Sequence, residues 1–248
     1  MSKKLRAAAI VAATSLCASP VWAVPITFES IAGMTPVEGM ESTDQFAATA
    51  GVTFGLIDGL TGTALSKGPM IAQVGGPRTA FEGFGAGDDS IDPGSAAQIG
   101  NFFLTDDGLT TNGLQNPILV ATYSVASSFI TEDILVLDFA EQFDIRFYDA
   151  VTGGNLLNTS SLSAGSPNTG NGVATSISYN HGSAAILRVE FEGRGNVTPA
   201  AGFFGLGFDN FDSGVVINPP APVPLPATAW LLAAGFVGLF GLRRKRSA

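Results

Sequence analysis

His181 is the only histidine in the 248-residue chain and Cys17 the only cysteine. A zinc site built from several nitrogen or sulfur ligands is therefore out of reach. A Ser-His-Asp triad would have to use His181. That residue sits in Tyr179-Asn180-His181-Gly182-Ser183, which reads as a β-turn between strands. No Gly-x-Ser-x-Gly elbow accompanies it in a strand–turn–helix setting, and the chain has neither a phosphate-binding P-loop nor a dinucleotide fingerprint.

Carboxylates are the remaining candidates. Glu190 and Glu192 fall on one face of an alternating stretch, roughly 7 Å apart by strand rise. Glycoside hydrolysis needs two carboxyl groups about 5–10 Å apart, so the pair meets the spacing. Beside Arg188, however, it reads first as an outer, wetted face. Acidic loops suit a hard cation better. Gly87-Asp88-Asp89-Ser90-Ile91-Asp92-Pro93-Gly94 offers three carboxylates, Asp88, Asp89 and Asp92, and Asp106-Asp107-Gly108 offers two more. Calcium takes roughly six to eight oxygens from carboxylates, carbonyls and water. Neither loop follows the EF-hand pattern, and solvated turns have the same composition.

The elements that must position these groups are strands. No long stretch repeats its apolar residues every 3.6 positions. Short apolar or alternating runs are bounded by Gly, Asn, Asp and Pro, the pattern of an all-β sandwich or barrel. Expected strands cover 26–29, 51–57, 101–105, 118–125 and 134–139. Two more alternate cleanly: Phe143, Ile145 and Phe147 against Asp144, Arg146 and Tyr148, then Leu187, Val189 and Phe191 against Arg188, Glu190 and Glu192. A period of two sends each set to one face, one packed inward and one facing water. Residues 202–211 and 215–217 close the domain. The expectation is nine to eleven strands in two sheets, a jelly-roll-like antiparallel sandwich over 24–217.

Both ends of the chain differ from this body. Lys3, Lys4 and Arg6 precede an apolar run from Ala7 to Ala18, and Val21-Trp22-Ala23 offers small or branched residues before a cut after Ala23. This is the pattern of a secretory signal peptide over 1–23, which implies the Sec translocon and signal peptidase as partners. Cys17 leaves with it, so the exported domain has no disulfide although its compartment permits one. Three of the 12 Lys and Arg lie in the leader and four in the last six residues, whereas all 21 Asp and Glu lie between. The exported part thus carries 16 more acids than bases. Such a field repels nucleic acid and anionic lipid and argues against both as partners.

After a Pro-rich linker at 218–222, the chain ends in Val223-Pro224-Leu225-Pro226-Ala227, an apolar run to Leu242, and Arg243-Arg244-Lys245-Arg246. Leu225 to Leu242 is 18 residues without charge, near the lower limit for a membrane span of roughly 17–25 residues. The four cations that follow resist transfer and stop the helix at the cytoplasmic side. Gly235, Gly238 and Gly241 give one helix face a smooth surface for contact with another helix. The segment 223–248 resembles the PEP-CTERM class of bacterial sorting tails, in the variant whose signature is Val-Pro-Leu-Pro-Ala. The resemblance covers about a tenth of the chain. It implies cleavage near the motif by an exosortase, a membrane-embedded thiol protease, after passage across the inner membrane and transient anchoring. The product then reaches the cell surface or the medium. An anchor that is never cleaved is the simpler alternative.

Short stretches of the body are similar to other β-domains that carry this tail: Ile26-Thr27-Phe28-Glu29 with Gly51-Val52-Thr53-Phe54, 137–143 with 147–150, and Phe208-Asp209-Asn210-Phe211. A first-strand Glu and a last-strand Asp also resemble carbohydrate-binding jelly rolls, in which two such carboxylates share a structural calcium ion. That resemblance implies Glu29 and Asp209 as Ca2+ ligands, with Asp88, Asp89 and Asp92 as further candidates. The reading of the whole is an exported envelope or matrix β-sandwich without enzymatic activity. The alternatives are a carbohydrate-binding module for exopolysaccharide and a secreted hydrolase. The first lacks support in aromatic platforms, since Trp230 lies in the tail and only Tyr123, Tyr148 and Tyr179 remain beside many Phe.

Overall fold

A computed structural model of the chain describes residues 25–31, 33–74, 98–105, 117–135, 137, 141–170, 173–195 and 207–214. The expected leader at 1–23, the acidic stretches 87–94 and 106–108, and the expected linker and tail at 218–248 lie outside these residues. Among the described residues there are eleven strands: β1 (Val52–Asp58), β2 (Thr63–Ala64), β3 (Met70–Gln73), β4 (Phe102–Thr105), β5 (Pro117–Ser127), β6 (Phe129–Leu135), β7 (Glu141–Tyr148), β8 (Leu156–Ser163), β9 (Ala174–Asn180), β10 (Ile186–Gly195) and β11 (Gly207–Asp212). They form two antiparallel sheets. One has the order β2-β1-β5-β10-β7-β8 and the other β3-β4-β11-β6-β9. The expected all-β, two-sheet antiparallel sandwich is therefore present.

Alternation along each strand builds the core. Phe143, Ile145 and Phe147 on β7, Val189 and Phe191 on β10, Leu119, Ala121 and Tyr123 on β5, and Val52, Phe54 and Leu56 on β1 point inward from the six-stranded sheet. Ile71, Leu104, Ile130, Ile134, Phe208 and Phe211 meet them from the five-stranded sheet in the same cluster. Phe208 is fully buried, with ring centroids 5.3 Å from Phe191, 5.6 Å from Phe143 and 6.2 Å from Phe211. The contacts continue through Phe211 to Phe54 at 4.9 Å and to Phe28 at 6.0 Å. Edge-to-face packing of this kind adds to the gain from burial.

The five-stranded sheet is covered on its other face as well. Ala72, Ile99, Phe103, Leu135 and Ala174 form a second, smaller cluster there. Gly207 lies against it: a Cβ at that position would sit 2.9 Å from the Leu135 Cβ. This outer layer, with Ile99 and its neighbours lying over the sheet, is what buries polar groups on that face.

Some boundaries differ from the sequence reading. Residues 26–29 form no strand. Ile26 makes an isolated bridge to Phe211, and Phe28 turns the chain away with a φ of 54°. The stretch expected at 134–139 instead contributes the end of β6, which begins at Phe129, and 136 and 138–140 lie outside the described residues. Strands β8 and β9 are rich in Ser, Thr and Asn and carry too little apolar alternation to have been expected. Phe208→Ala removes a ring that touches three others in a filled core and is expected to cost about 3–5 kcal/mol. Denaturant unfolding of the variant beside the wild type measures it.

Candidate functional site

The outer face of β11 holds the polar group with the least ordinary surroundings. Asp209 is fully buried. It stands directly opposite Asp133 on β6, and side chains opposite each other in an antiparallel pair share a face about 5 Å apart. The register then slips between Asp209 and Asp212, and Asn210 adopts a φ of 55°. Such a bulge re-aims side chains, and Asn tolerates this backbone region better than most residues. Asn210 Nδ2 donates to Asp133 Oδ2 at 2.7 Å and to the Gln98 carbonyl at 2.9 Å. Ser176 Oγ donates to Asp133 Oδ1 at 2.5 Å, and Gln98 Nε2 donates to Ser176 Oγ at 3.0 Å.

Glu29 completes the cover. The bridge between Ile26 and Phe211 brings the N-terminal segment alongside β11, through N–H···O bonds of 2.8 and 3.1 Å. Glu29 Oε1 accepts from the Asn101 and Phe102 amides at 2.6 and 2.8 Å. Gly100 makes this approach possible. Its φ is 65°, and a Cβ there would lie 2.3 Å from Glu29 Oε1. Glu29 and Asn210 thus fasten residues 98–102 over the outer face from two sides.

Asp209 is left incompletely satisfied. Its Oδ1 accepts from the Asn210 amide at 2.7 Å, whereas Oδ2 is buried without a hydrogen-bond partner. Burial pushes its pKa up to about 9, against a lowering by the Asn210 amide, and the charges of Asp133 and Glu29 push it further in the same direction. The predicted pair, Glu29 and Asp209, is therefore brought within electrostatic reach, and Asp133 joins it. Among the described residues no three His, Cys, Asp or Glu side chains converge as a ready metal cage. Asp88, Asp89, Asp92, Ala23, the motif 223–227 and the basic cluster 243–246 lie outside the described residues. So do Asp106 and Asp107.

A second carboxyl is buried on the opposite face. Glu132 shares the inward side of β6 with Ile130 and Ile134, and neither of its oxygens has a hydrogen-bond partner. Burial raises its pKa well above the usual carboxylate range, and Asp133 adds to the effect. Burial likewise raises Tyr123, with further upward contributions from Glu132 and Asp212.

The other candidates resolve differently. Glu190 and Glu192 do share the outer face of the six-stranded sheet, but that face is neither open nor free. Arg188 Nε lies 3.0 Å from Glu190 Oε1. Arg146 reaches both Glu190 and Glu192. Arg194 bridges Asp144 at 3.1 Å and Glu192 at 3.0 Å. The Arg188 guanidinium also covers the Tyr148 ring, 4.1 Å from its centroid. The face is less wet than expected because β7 and β10 lie inside the sheet and their long side chains cross one another. His181 opens the link between β9 and β10, which bends across from one sheet to the other where the sequence reading expects a β-turn. Its Nδ1 pairs with the Tyr179 hydroxyl at 2.9 Å, and Asn180 Oδ1 accepts from the Gly182 amide at 2.8 Å.

Sequence reasoning missed Asp133 and Glu132. The signal was the Thr131-Glu132-Asp133 triplet between Ile130 and Ile134, where strict alternation sends Glu132 inward and Asp133 outward.

No family model and no characterised protein matches the chain by sequence. Among solved structures, the K2 cleaved adhesin domain of Lys-gingipain is similar over 66% of this chain and 90% of its own, at 11% identity and a TM-score of 0.39. The CBM22-1 and GH10 modules of Clostridium thermocellum endo-1,4-β-D-xylanase 10B, solved with xylohexaose, are similar over 78% of this chain and 28% of their own, at 10% identity and a TM-score of 0.30. Both likenesses are too distant to assign a site or an activity.

Asp209 has a folded-state pKa above its unfolded value, and Glu132 is shifted in the same sense. Their contributions are therefore fully present at acid pH and are lost as pH rises, for Asp209 between about 3.8 and about 9. In chelator, stability measured by denaturant unfolding is expected to fall across that window. Asp209→Asn and Glu132→Gln should each flatten the decline.

Proposed function

We propose that the chain is an exported, non-enzymatic β-sandwich of the cell envelope or extracellular matrix, delivered by its C-terminal sorting tail. One observation supports the non-enzymatic reading above the others. The described side chains that the sequence offers for catalysis are engaged with one another, and the carboxyl oxygens left unpartnered, on Glu132 and Asp209, are buried. Glu190 and Glu192 are held by Arg146, Arg188 and Arg194, and His181 by Tyr179. A general acid or base needs a free proton-exchanging atom facing substrate, whereas cross-braced ion pairs rigidify a sheet. The role that fits is structural or adhesive. The export reading rests on the leader and on residues 223–248, and it implies signal peptidase and an exosortase-like protease as processing partners.

Calcium is the cofactor proposed with it. The unpartnered Asp209 Oδ2 is what a hard cation would satisfy, and Asp133 and Glu29 supply the surrounding negative charge. Glu29 and Asp209 would hold the ion, with carbonyls and water completing the shell. Bound there, it would relieve carboxylate repulsion and tie residue 29 to the last strand, which a domain without cysteine cannot do by disulfide.

Fractionation of the native host followed by intact-mass analysis tests the function. The expected product is found at the surface or in the medium, begins near Val24, and lacks the residues beyond 223–227. A cytoplasmic product, or one ending at Ala248, overturns the delivery reading.

A further inference from the structure

Between Asp149 and Arg188 the chain runs for 38 residues without one Asp, Glu, Lys or Arg. Charged residues make up 13% of the whole, so about five would be expected in a stretch of that length. This segment includes β8, which ends the six-stranded sheet, and β9, which ends the five-stranded sheet. In a domain with a large excess of acid, it is a strip where the repelling field is interrupted.

The four sheet ends are not equivalent. Strand β2 has only two residues. The free side of β3 is already hydrogen-bonded: the Gly39 amide donates to the Ile71 carbonyl, the Ile71 amide to the Met40 carbonyl, and the Ser42 amide to the Pro69 carbonyl, each at 2.8 Å. Beside β9, the Thr175 hydroxyl is tied to the Asn168 carbonyl at 2.6 Å. Strand β8 has eight residues, Leu-Leu-Asn-Thr-Ser-Ser-Leu-Ser. Among the described residues its only strand partner is β7. It carries neither Lys nor Pro nor an inward charge to keep the edge from pairing, and its one bulge, at Leu157, lies near its start and leaves Asn158 to Ser163 in regular register with β7. Thr159, Ser160 and Ser161 at its middle are exposed.

We propose that β8 is a docking edge for a second copy of this chain, through antiparallel β8–β8 pairing that continues the six-stranded sheet across a two-fold axis. A second copy is the occupant this edge favours, because two domains of the same negative sign approach most easily where neither carries charge. A two-fold normal to the sheet pairs residues of the same face, so the register centres on one residue and sets it opposite its own counterpart. Thr159 lies mid-strand and on the outer face, opposite Arg146 of β7. Opposed Thr side chains are a favourable cross-strand pair, and the interface so formed is isologous.

The test uses the protein as purified from its host, and it does not depend on where the host delivers it. Sedimentation equilibrium should show a concentration-dependent dimer. Thr159→Glu separates fold from interface. In one copy the new carboxylate lies across from Arg146, which favours the folded monomer, whereas in the dimer it faces its own counterpart. The variant should keep the wild-type melting temperature and sediment as a monomer. Because Cys17 is the only cysteine, Thr159→Cys in a Cys17→Ser background provides a single reporter thiol. A short bifunctional thiol reagent should link it into dimers, while Thr63→Cys on β2 should stay unlinked. A wild type that is monomeric at every concentration overturns the proposal. So does a dimer that survives Thr159→Glu, or equal linking at Thr63→Cys.

Discussion

A carboxyl group removed from water beside two others is the constraint on which this sandwich turns. Strand β11 must send Phe208 and Phe211 into the core, and alternation then sends Asp209 to the other face, opposite Asp133. On an open sheet that face would be wet and the pair would be cheap. Here Ile99 and its neighbours cover it, so Asp209 and Asp133 are shielded from solvent and like charges meet in a medium that screens them poorly. The fold answers with protonation, with the bulge at Asn210, and with Glu29 and Asn210 clasping residues 98–102. The Glu29 part of the clasp depends on the N-terminal segment lying beside the last strand.

The two faces of the β6–β11 pair therefore do different work. The inward face continues the line of phenylalanines that joins the sheets, interrupted by Glu132, whose burial favours its uncharged form. The outward face collects polar groups that hold a loop in place. On the six-stranded sheet the same alternation produces the opposite outcome. Its outward charges are balanced, three arginines against three carboxylates, and they satisfy one another in partial contact with solvent. Exposed ion pairs contribute little singly, but a cross-braced set spanning β7 and β10 fixes the geometry of the sheet centre. The fold thus handles charge in two ways, by mutual pairing on one sheet and by burial and protonation on the other.

The strands with strong alternation were legible. Phe143, Ile145 and Phe147, and Val189 and Phe191, lie where a period of two puts them. So was a break in the strand at His181, because Asn and Gly together interrupt the alternation. Strands β8 and β9 were not legible, since an edge strand buries little and its Ser, Thr and Asn residues read as loop. Residues 26–29 looked like a strand but serve as a strap, a distinction made by the φ of Phe28 and not by residue type. At the candidate site, Glu29 and Asp209 could be named beforehand only through a resemblance. Asp133 could not, because its role comes from standing across from Asp209, and cross-strand register is a long-range property. The burial of Asp209 likewise depends on a covering segment distant in sequence.

Thermal unfolding of the protein with and without calcium tests the central claim most directly. If the free oxygen of Asp209 takes a cation, a hundredfold excess over the dissociation constant stabilises the fold by about 2.7 kcal/mol, roughly 5–10 °C for a domain of this size. Glu29→Gln and Asp209→Asn should each abolish most of that rise, and Asp106→Asn should leave it intact. A melting temperature unmoved by millimolar calcium at neutral pH would contradict the claim and leave Asp209 as a protonated carboxyl that caps a bulge.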